Sequence, residues 1–394
     1  MKKNISKAKK TQQVKQRKAR RRQNAKGMKK VAATPQGTVK EPTQQLESWG
    51  GRRVTIGLDL GDRKSKYCVF DGEGYLKESD VVTESDAMKA TFGAMKPCRI
   101  ALEVGTHSLW VSALLKGLGH EVIVANAREV RAISKSKKKN DKLDARKLAR
   151  LAHADPQLLS PIQHRSMKAQ MDLLKVRARA GLVEARTGLV NMVRGLVKSH
   201  GQRIQKCDTD SMSAELLRGL DEGLIEALKP AMRVIEKLTE QIEQYDKQVE
   251  ELAKKYPETQ LLRQVSGVGP LISTAYVLTL EDPERFTKSR HVGGYLGLTP
   301  AQRDSGDSQP QLRITKEGDC YVRTLLVQGA QYILGPHGPD SDLRRWGLKL
   351  VGGGSKREKR RAVVAVARKL AILLHRLWKT GEIYEPLRNS QAAA

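Results

Sequence analysis

The chain has 394 residues, enough for two or three domains with a sizeable core. Its 73 Lys and Arg outnumber 43 Asp and Glu, and the net charge of +30 favours a polyanionic partner, either nucleic acid or an anionic membrane surface. No stretch approaches the roughly 18 uninterrupted apolar residues of a transmembrane helix, and the basic N-terminus lacks the apolar segment of a secretory signal. We therefore predict nucleic acid as the partner. The four cysteines form no Cys-x-x-Cys pair, which argues against a zinc site or a disulfide framework and favours a reducing cytoplasm.

The chain begins with a basic arm. Residues 1–30 contain 14 Lys or Arg and no Asp or Glu, and residues 31–50 carry Pro35, Gly37 and Pro42 among polar residues. We predict a disordered arm and linker over residues 1–50 that binds phosphate backbones without sequence preference. The alternative is a solubilising or targeting tail. More than half of the net charge lies outside this arm, so the basic character is not only a property of the tail.

Strands and helices alternate from residue 52 to about residue 155, and we assign residues 51–160 to one domain. Two apolar runs between Val54 and Phe70 flank a turn of Gly61, Asp62 and Arg63, which predicts two strands joined by a tight turn. The elements predicted after them are a strand at Tyr75–Val82, a helix at Glu84–Met95, a strand at Arg99–Glu103, a helix at Leu109–Leu118, a strand at Glu121–Val124 and a helix from about Lys142 to Ala154. Three strands followed by alternating helices and strands are expected of an RNase H-like (RuvC-like) domain, a mixed sheet with helices on its faces. A doubly wound fold stays open, because strand order is not written in one sequence.

Residues 161–256 are predicted to be a helical, coiled-coil region. Its second half carries apolar residues at alternating steps of three and four, a heptad seam. The seam residues are Ile235, Leu238, Ile242, Tyr245, Val249, Leu252 and Tyr256. Such a seam either joins two chains or folds back on the same chain, and we favour self-association into a dimer or tetramer.

Residues 257–390 are predicted to be a mainly helical C-terminal domain. Gly267-Val-Gly269 lies between two apolar-periodic segments and resembles a helix-hairpin-helix turn, whose backbone N–H groups can hold a DNA phosphate. The signal is weak, since many helix connections contain a Gly-x-Gly. Lys356–Lys379 is predicted to be a basic amphipathic helix.

Four carboxylates are candidates for one metal site. Asp59 and Glu103 end predicted strands, and Asp141 and Asp144 lie three apart at the start of a predicted helix, so both project from one face. Magnesium prefers such hard oxygen ligands, and two ions about 4 Å apart can assist phosphodiester chemistry. Taken singly, each acid is more often a turn former or a helix cap. The surrounding basic residues strengthen the set, although a solvated loop that balances the acids would also account for them. They include Lys137, Lys138, Lys139, Lys142, Arg146 and Lys147.

These residues carry a resemblance to a known family. Gly57-Leu-Asp59, Ala101-Leu-Glu103 with the following Val-Gly-Thr-His-Ser-Leu-Trp110, and Asn140-Asp141-Lys-Leu-Asp144 resemble the Asp-Glu-Asp-Asp motifs of insertion-sequence 110/1111 family transposases. Further motifs in the family's order lie downstream over the C-terminal half. They are Val265-Ser-Gly-Val-Gly-Pro270, Tyr295-Leu-Gly-Leu-Thr-Pro300, Ser305-Gly306, Ile314-Thr-Lys-Glu-Gly318 and Arg323.

The resemblance implies a DNA transposase or recombinase in which Asp59, Glu103, Asp141 and Asp144 bind magnesium or manganese. It also implies that a serine, at the position of Ser305, attacks DNA and forms a transient phosphoserine link. Considered alone, Ser305-Gly306 reads as an ordinary turn, and a serine hydroxyl needs a base or metal to attack phosphate. A composite site that joins the acids of one domain or subunit to Ser305 of another would supply that activation.

Members of the family also resemble recombinases guided by a structured noncoding (bridge) RNA, which implies RNA as well as donor and target DNA as partners, in the cytoplasm of a bacterium. We predict nucleic-acid contacts at the lysines and arginines beside the acids, at Gly267 and Gly269, and at Lys316 and Arg323. Two alternatives stay open: a RuvC-like junction resolvase that uses metal-activated water and forms no covalent link, and a non-catalytic nucleic-acid-binding protein.

Overall fold

A computed structural model describes residues 54–127, 141–310 and 312–388, and the side chains of these residues except 141 and 142. The predicted basic arm and linker, and Lys137, Lys138 and Lys139, lie outside the described residues. The chain divides into two compact units, one ending at His164 and the other beginning at Arg165. The domain boundaries drawn from the sequence stay a prediction.

The first unit is built on a five-stranded mixed sheet. Its strands are β1 (Thr55–Asp59), β2 (Lys64–Phe70), β3 (Tyr75–Val82), β4 (Arg99–Glu103) and β5 (Glu121–Ala125). Their spatial order is β3-β2-β1-β4-β5; β1 pairs antiparallel with β2 and parallel with β4, and β4 and β5 are parallel. Over the described residues of this unit the helices are α1 (Ser85–Gly93), α2 (Ser108–Gly117) and α3 (Asp141–Ala154). This confirms the predicted RNase H-like sheet, and the antiparallel first hairpin rules out the doubly wound alternative.

The two faces of the sheet are covered by different kinds of side chain. Ile56, Leu58, Ile100 and Leu102 are fully buried on one face, in a core that also contains residues of α1 and α2. The intervening residues Gly57 and Ala101 point to the other face, since side chains alternate along a strand. Small residues leave room for a helix to approach closely, and α3 occupies that face.

The second unit is helical. Its helices are α4 (Met167–Ser199), α5 (Glu222–Lys255), α6 (Glu258–Leu262), α7 (Pro270–Leu280), α8 (Arg290–Tyr295), α9 (Cys320–Leu334), α10 (Asp342–Val351) and α11 (Lys356–Thr380). The core of the unit includes Tyr276 of α7, whose hydroxyl donates a 2.7 Å hydrogen bond to the carbonyl of Ala371 in α11. None of the described helices is both long enough and apolar enough to span a membrane.

The predicted heptad seam of α5 packs within the chain, against α4. Val249 and Leu252 share a core with Leu173 and Val176 of α4, and Ile235 lies in a second core with residues further along α4. Polar pairs follow the same antiparallel register: Asp172 accepts from Lys255 and Tyr256, and Arg179 pairs with Asp246. The fold-back alternative is therefore present within the described chain. Self-association into a dimer or tetramer stays a prediction.

Candidate active site

Asp59 and Glu103 end two adjacent parallel strands. Leu58 is paired with Leu102 in the β1–β4 ladder, so the next residue of each strand, Asp59 and Glu103, lies at the same level of the sheet edge. Neighbouring strands are about 4.8 Å apart, and both residues alternate to the face that carries Gly57 and Ala101. The fold thus brings two of the four predicted acids side by side, both half-buried.

Gly57 allows α3 to lie directly on this face. A Cβ atom at Gly57 would be 1.9 Å from the carbonyl oxygen of Ala145 and 2.5 Å from the nitrogen of Ala149. Further back along β1, the Thr55 hydroxyl is 3.1 Å from Nδ1 of His153, near the end of α3. The helix therefore runs antiparallel to β1, with its end beside Thr55 and its middle beside Gly57.

This direction places the first turn of α3 beside the strand ends. Two residues along a strand and four along a helix cover nearly the same length, about 6–7 Å. The stripe of His153, Ala149 and Ala145 continues back to position 141, so α3 begins at the level of Asp59. Asp144 is half-buried, and its Oδ1 is 3.5 Å from Nζ of Lys147. The strand ends and the helix start that carry the four predicted acids thus lie at one edge of the sheet, and no local pattern around Gly57 indicates its part in this arrangement.

The donor set at this edge fits magnesium or manganese. Among the residues whose side chains the structure describes, no three His, Cys, Asp or Glu lie close enough together to form a complete metal site. The side chain of Asp141 lies outside the described set and is therefore not included in this statement. Magnesium is commonly held by one or two carboxylates, with water and substrate phosphates supplying the remaining ligands. The carboxylates of Asp59 and Glu103, at adjacent strand ends with α3 starting beside them, match that requirement in ligand type.

A further polar group at this edge was missed from the sequence. Trp110 donates from Nε1 to Nδ1 of His107 (3.1 Å), so a neutral His107 carries its proton on Nε2, which lies 3.7 Å from Oδ1 of Asp62. His107 follows β4 and Asp62 lies in the β1–β2 turn, so both are at the end of the sheet where Asp59 and Glu103 lie. In the sequence these two residues are marked only by their proximity to the predicted acids: Asp62 lies three residues after Asp59, and His107 lies four residues after Glu103.

Arg146 and Lys147, two predicted nucleic-acid contacts, have partners within the first unit. Arg146 donates from Nε to the carboxylate of Glu78, and its guanidinium carbon lies 4.9 Å from the ring centroid of Tyr75. Lys147 is the partner of Asp144 described above. Nucleic-acid binding by either residue stays a prediction and would compete with these contacts. Lys142 cannot be placed in this way, since its side chain lies outside the described set.

Ser305 lies at the tip of an exposed hairpin in the second unit. Pro300 and Ile314 form an antiparallel bridge at its base. At the tip the N–H groups of Ser305 and Ser308 each donate to the carbonyl of the other residue at 3.1 Å, and Gly306 takes a φ of +54° within the turn. Residues 302–310 are exposed, and the Ser305 hydroxyl makes no hydrogen bond within the described part of the chain. The hydroxyl is therefore accessible to a large partner such as DNA.

The two glycines of the predicted hairpin turn have different surroundings. Gly267 has a φ of +83°, and a Cβ there would be 2.8 Å from the carbonyl oxygen of Gly329 in α9, so it permits close packing. Gly269 is exposed, is the N-cap of α7 and has open space around it. Gly269 is thus the one of the two with room for a phosphate. The helix-hairpin-helix interpretation stays a prediction.

Arg323 connects two loops. Its NH1 group donates to the carbonyls of Leu296 (3.0 Å) and Glu317 (2.7 Å), and the residue is 8% exposed. This placement speaks against the predicted nucleic-acid contact, because the guanidinium is occupied and largely closed to solvent. Lys316, by contrast, is exposed and has a φ of +58°, and its own predicted contact stays a prediction.

Comparison with known proteins agrees with this architecture. Residues 56–201 match the DEDD transposase family of IS110, and residues 259–342 match the transposase family IS116/IS110/IS902; together the matches span more than half of the chain. A protein of Pseudomonas aeruginosa named "Probable family 20 transposase" is 29% identical over 344 residues, which are 84% of this chain and 98% of that protein.

Two further relatives are transposases named for their insertion sequences. The transposase for insertion sequence element IS1111A of Coxiella burnetii is 26% identical over 84% of this chain and 90% of its own length. The transposase for insertion sequence element IS1328 of Yersinia enterocolitica is 26% identical over 60% of this chain and 70% of its own length. One family match covers the acid-bearing sheet and the other covers residues 259–342 of the second unit, and the predicted motifs lie in both. The chain belongs to the IS110 family of transposases.

Proposed function

We propose that this transposase cuts and rejoins DNA strands with the Ser305 hydroxyl as nucleophile, assisted by magnesium held at Asp59, Glu103, Asp141 and Asp144. The observation that carries the proposal is the register that sets Asp59 beside Glu103, with the first turn of α3 at the same sheet edge. Carboxylates so placed would hold a divalent ion near a DNA phosphate. When bound, the ion neutralises charge that develops on the phosphate oxygens.

The chain's own residues have separate roles in this scheme. Asp59 and Glu103 end strands that are held in the sheet, by pairing with Lys66 of β2 and with Ala125 of β5, so their carboxylates would hold a metal ion in a fixed position beside the reacting phosphate. Ser305 is presented on an exposed turn, so its oxygen can approach a phosphorus atom without displacing protein groups. Attack forms a Ser305 Oγ–phosphorus bond and releases a sugar hydroxyl, and attack by the hydroxyl of a second strand reverses the step and frees the serine.

The covalent step can be tested by trapping. Recombination reactions with end-labelled DNA should yield a denaturant-resistant protein–DNA adduct, and Ser305→Ala should yield none, because the attacking oxygen is absent. Ser308→Ala is the matched control, since Ser308 lies opposite Ser305 in the same hairpin and pairs through its backbone alone. An adduct that persists in Ser305→Ala would refute the nucleophile. Cleavage without any adduct would favour the alternative, a RuvC-like enzyme that uses water.

RNA guidance is a separate part of the proposal. Its support is the family resemblance and the net charge of +30, which favours binding of polyanions such as RNA as well as DNA. The purified protein should carry an RNA encoded beside its gene, and recombination should stop after ribonuclease treatment and resume when that RNA is added back. Full recombination of DNA by RNA-free protein would remove this part and leave the serine chemistry untouched.

A further inference from the structure

The first two turns of α11 carry an unusual concentration of positive charge. Five of the six residues from Lys356 to Arg361 are Lys or Arg, and all five are exposed. They are Lys356, Arg357, Lys359, Arg360 and Arg361. The sixth residue, Glu358, completes a capping box with Ser355: the Ser355 N–H donates to the Glu358 carboxylate (3.0 Å) and the Glu358 N–H donates to Ser355 Oγ (3.2 Å). The single acid of this segment is therefore engaged in capping the start of the helix.

This charge lies at the end of the helix where it is unfavourable. The N-terminus of a helix carries a partial positive charge, so cations there are repelled by the helix dipole. Lys356 and Arg360, and Arg357 and Arg361, are also four residues apart, where like charges repel. The charges at the start of α11 are unfavourable for the helix, whereas the rest of α11 packs regularly in the core. Residues that lower local stability in this way are expected to serve a function such as binding.

The cations at the opposite end of the same helix behave differently. Arg376 pairs with Glu382 (3.2 Å) and Lys379 pairs with Glu284 (2.8 Å). In the described part of the chain, Lys356, Arg357, Lys359 and Arg360 form no ion pair. The start of α11 thus carries four cations without an ion-pair partner among the described residues, and Glu358 is the single acid in the same segment.

The turn before α11 leaves space for a partner to come close. Gly352, Gly353 and Gly354 precede the N-cap, and Gly352 and Gly354 have φ values of +53° and +78°. Gly352 and Gly353 are exposed and carry no side chain that would hold a partner away from the cations. Residues 347–377 contain no Phe, Tyr or Trp, so this segment itself offers no aromatic ring on which single-stranded bases could stack.

We propose that the start of α11, with the triple-glycine turn before it, is a binding surface for the phosphodiester backbone of duplex DNA. The proposal rests on the proposed function, in that DNA is the substrate, and adds the surface that would hold it. Phosphates would offset both the repulsion between the cations and their unfavourable position on the helix. Contacts of this kind position a duplex without reading its sequence.

The test removes three charges from this surface in the full-length protein. Lys356→Gln/Arg357→Gln/Arg360→Gln should weaken binding to two duplexes of unrelated sequence by about tenfold or more, to the same extent for both, with magnesium omitted. The slope of log affinity against log salt should become shallower by about 2.7, since each phosphate contact to duplex DNA contributes about 0.9. The thermal midpoint should stay equal or rise, because the removed cations oppose the helix dipole.

A matched control removes the same charge elsewhere in the second unit. The control is the triple variant Lys237→Gln/Lys247→Gln/Lys254→Gln on α5, where Lys237 pairs with Glu240 and Lys254 pairs with Glu251. This variant should weaken DNA binding by less than about threefold. Equal losses in the two triple variants, or an unchanged salt slope, would overturn the proposal. A greater loss for duplex RNA or for single strands than for duplex DNA would also overturn it. Since no cleavage is measured, failure of the serine chemistry would leave this result unaffected.

Discussion

Asp59 and Glu103 are neighbours across the β1–β4 ladder, one residue beyond the paired Leu58 and Leu102. The two acids are 44 positions apart in the sequence, and parallel pairing of the two strands sets them side by side at one edge of the sheet. In our proposal this pair is the fixed part of the metal site, so the first prediction concerns it.

Asp59→Asn and Glu103→Gln should each lower the rate of DNA strand cleavage by more than about hundredfold, since a metal ion contributes several kcal/mol to such a reaction. Both substitutions keep the side-chain size, so the thermal midpoint should change little. Asp80→Asn, which removes an exposed carboxylate from β3 of the same sheet, is the control and should retain activity. Cleavage at the normal rate by both edge variants would show that these acids do not bind a required metal.

Gly57→Ala should destabilise the first unit, because the new Cβ would lie 1.9 Å from the carbonyl oxygen of Ala145 and push α3 off the sheet. Overpacking of this kind costs about 1–3 kcal/mol, and here the clash is with the helix backbone rather than a flexible side chain. Cleavage should fall together with stability, because α3 carries two of the proposed metal ligands. Chemical denaturation measures the first effect and a cleavage assay the second.

Gly74→Ala is the matched control for Gly57→Ala. Gly74 lies in the turn between β2 and β3, has open space around it and lacks a positive φ, so alanine should be tolerated there. An equal loss of stability in the two variants would mean that the close contact between β1 and α3 does not determine the effect.

Arg323→Gln should destabilise the second unit by about 1.5–3 kcal/mol, because the charged hydrogen bonds to Leu296 and Glu317 are lost inside the protein. Affinity for DNA at a temperature where the variant is folded should stay within about twofold of the parent, since surface contacts are unchanged. Thermal unfolding and DNA titration distinguish this role from the contact predicted from the sequence. A loss of affinity at unchanged stability would restore that earlier prediction.

The second unit should lose stability as the pH falls below about 6.5, in part through His375. Burial lowers the pKa of His375 below its usual value of 6.5; the hydrogen bond to the carbonyl of Pro283 opposes this shift, and nearby Lys379 adds to it. The unfolded chain therefore binds the proton first, so the stability present above pH 6.5 declines as the pH drops toward and through the lowered pKa. Thermal midpoints at pH 7.5 and at acidic pH, compared between the parent and His375→Gln, measure this: the variant should show the smaller decrease. An equal decrease in both would exclude His375 as a source.

The order of strands and helices in the first unit could be predicted because each element has its own local signal. Tyr75–Val82 and Arg99–Glu103 alternate or run apolar between turn residues, and the structure gives these two strands the predicted bounds. The position of Ser305 in a turn also follows from its local sequence, since Ser-Gly is a frequent turn pair.

Local signals could not decide which surfaces meet. The heptad seam of α5 fits a second chain or α4 equally well, because its pattern specifies an apolar face and not the partner, and the connection at 200–221 lets α4 cover it. The sequence predicted a nucleic-acid contact for Arg323, because only the fold shows the two carbonyls that accept from its guanidinium.

The sequence by itself determined the strands, the helices, the charge and the acidic residues, since these depend on neighbouring residues and composition. The tertiary structure decided that Asp59 lies beside Glu103 and that Gly57 contacts α3, because only parallel strand pairing and close packing bring these separate segments together.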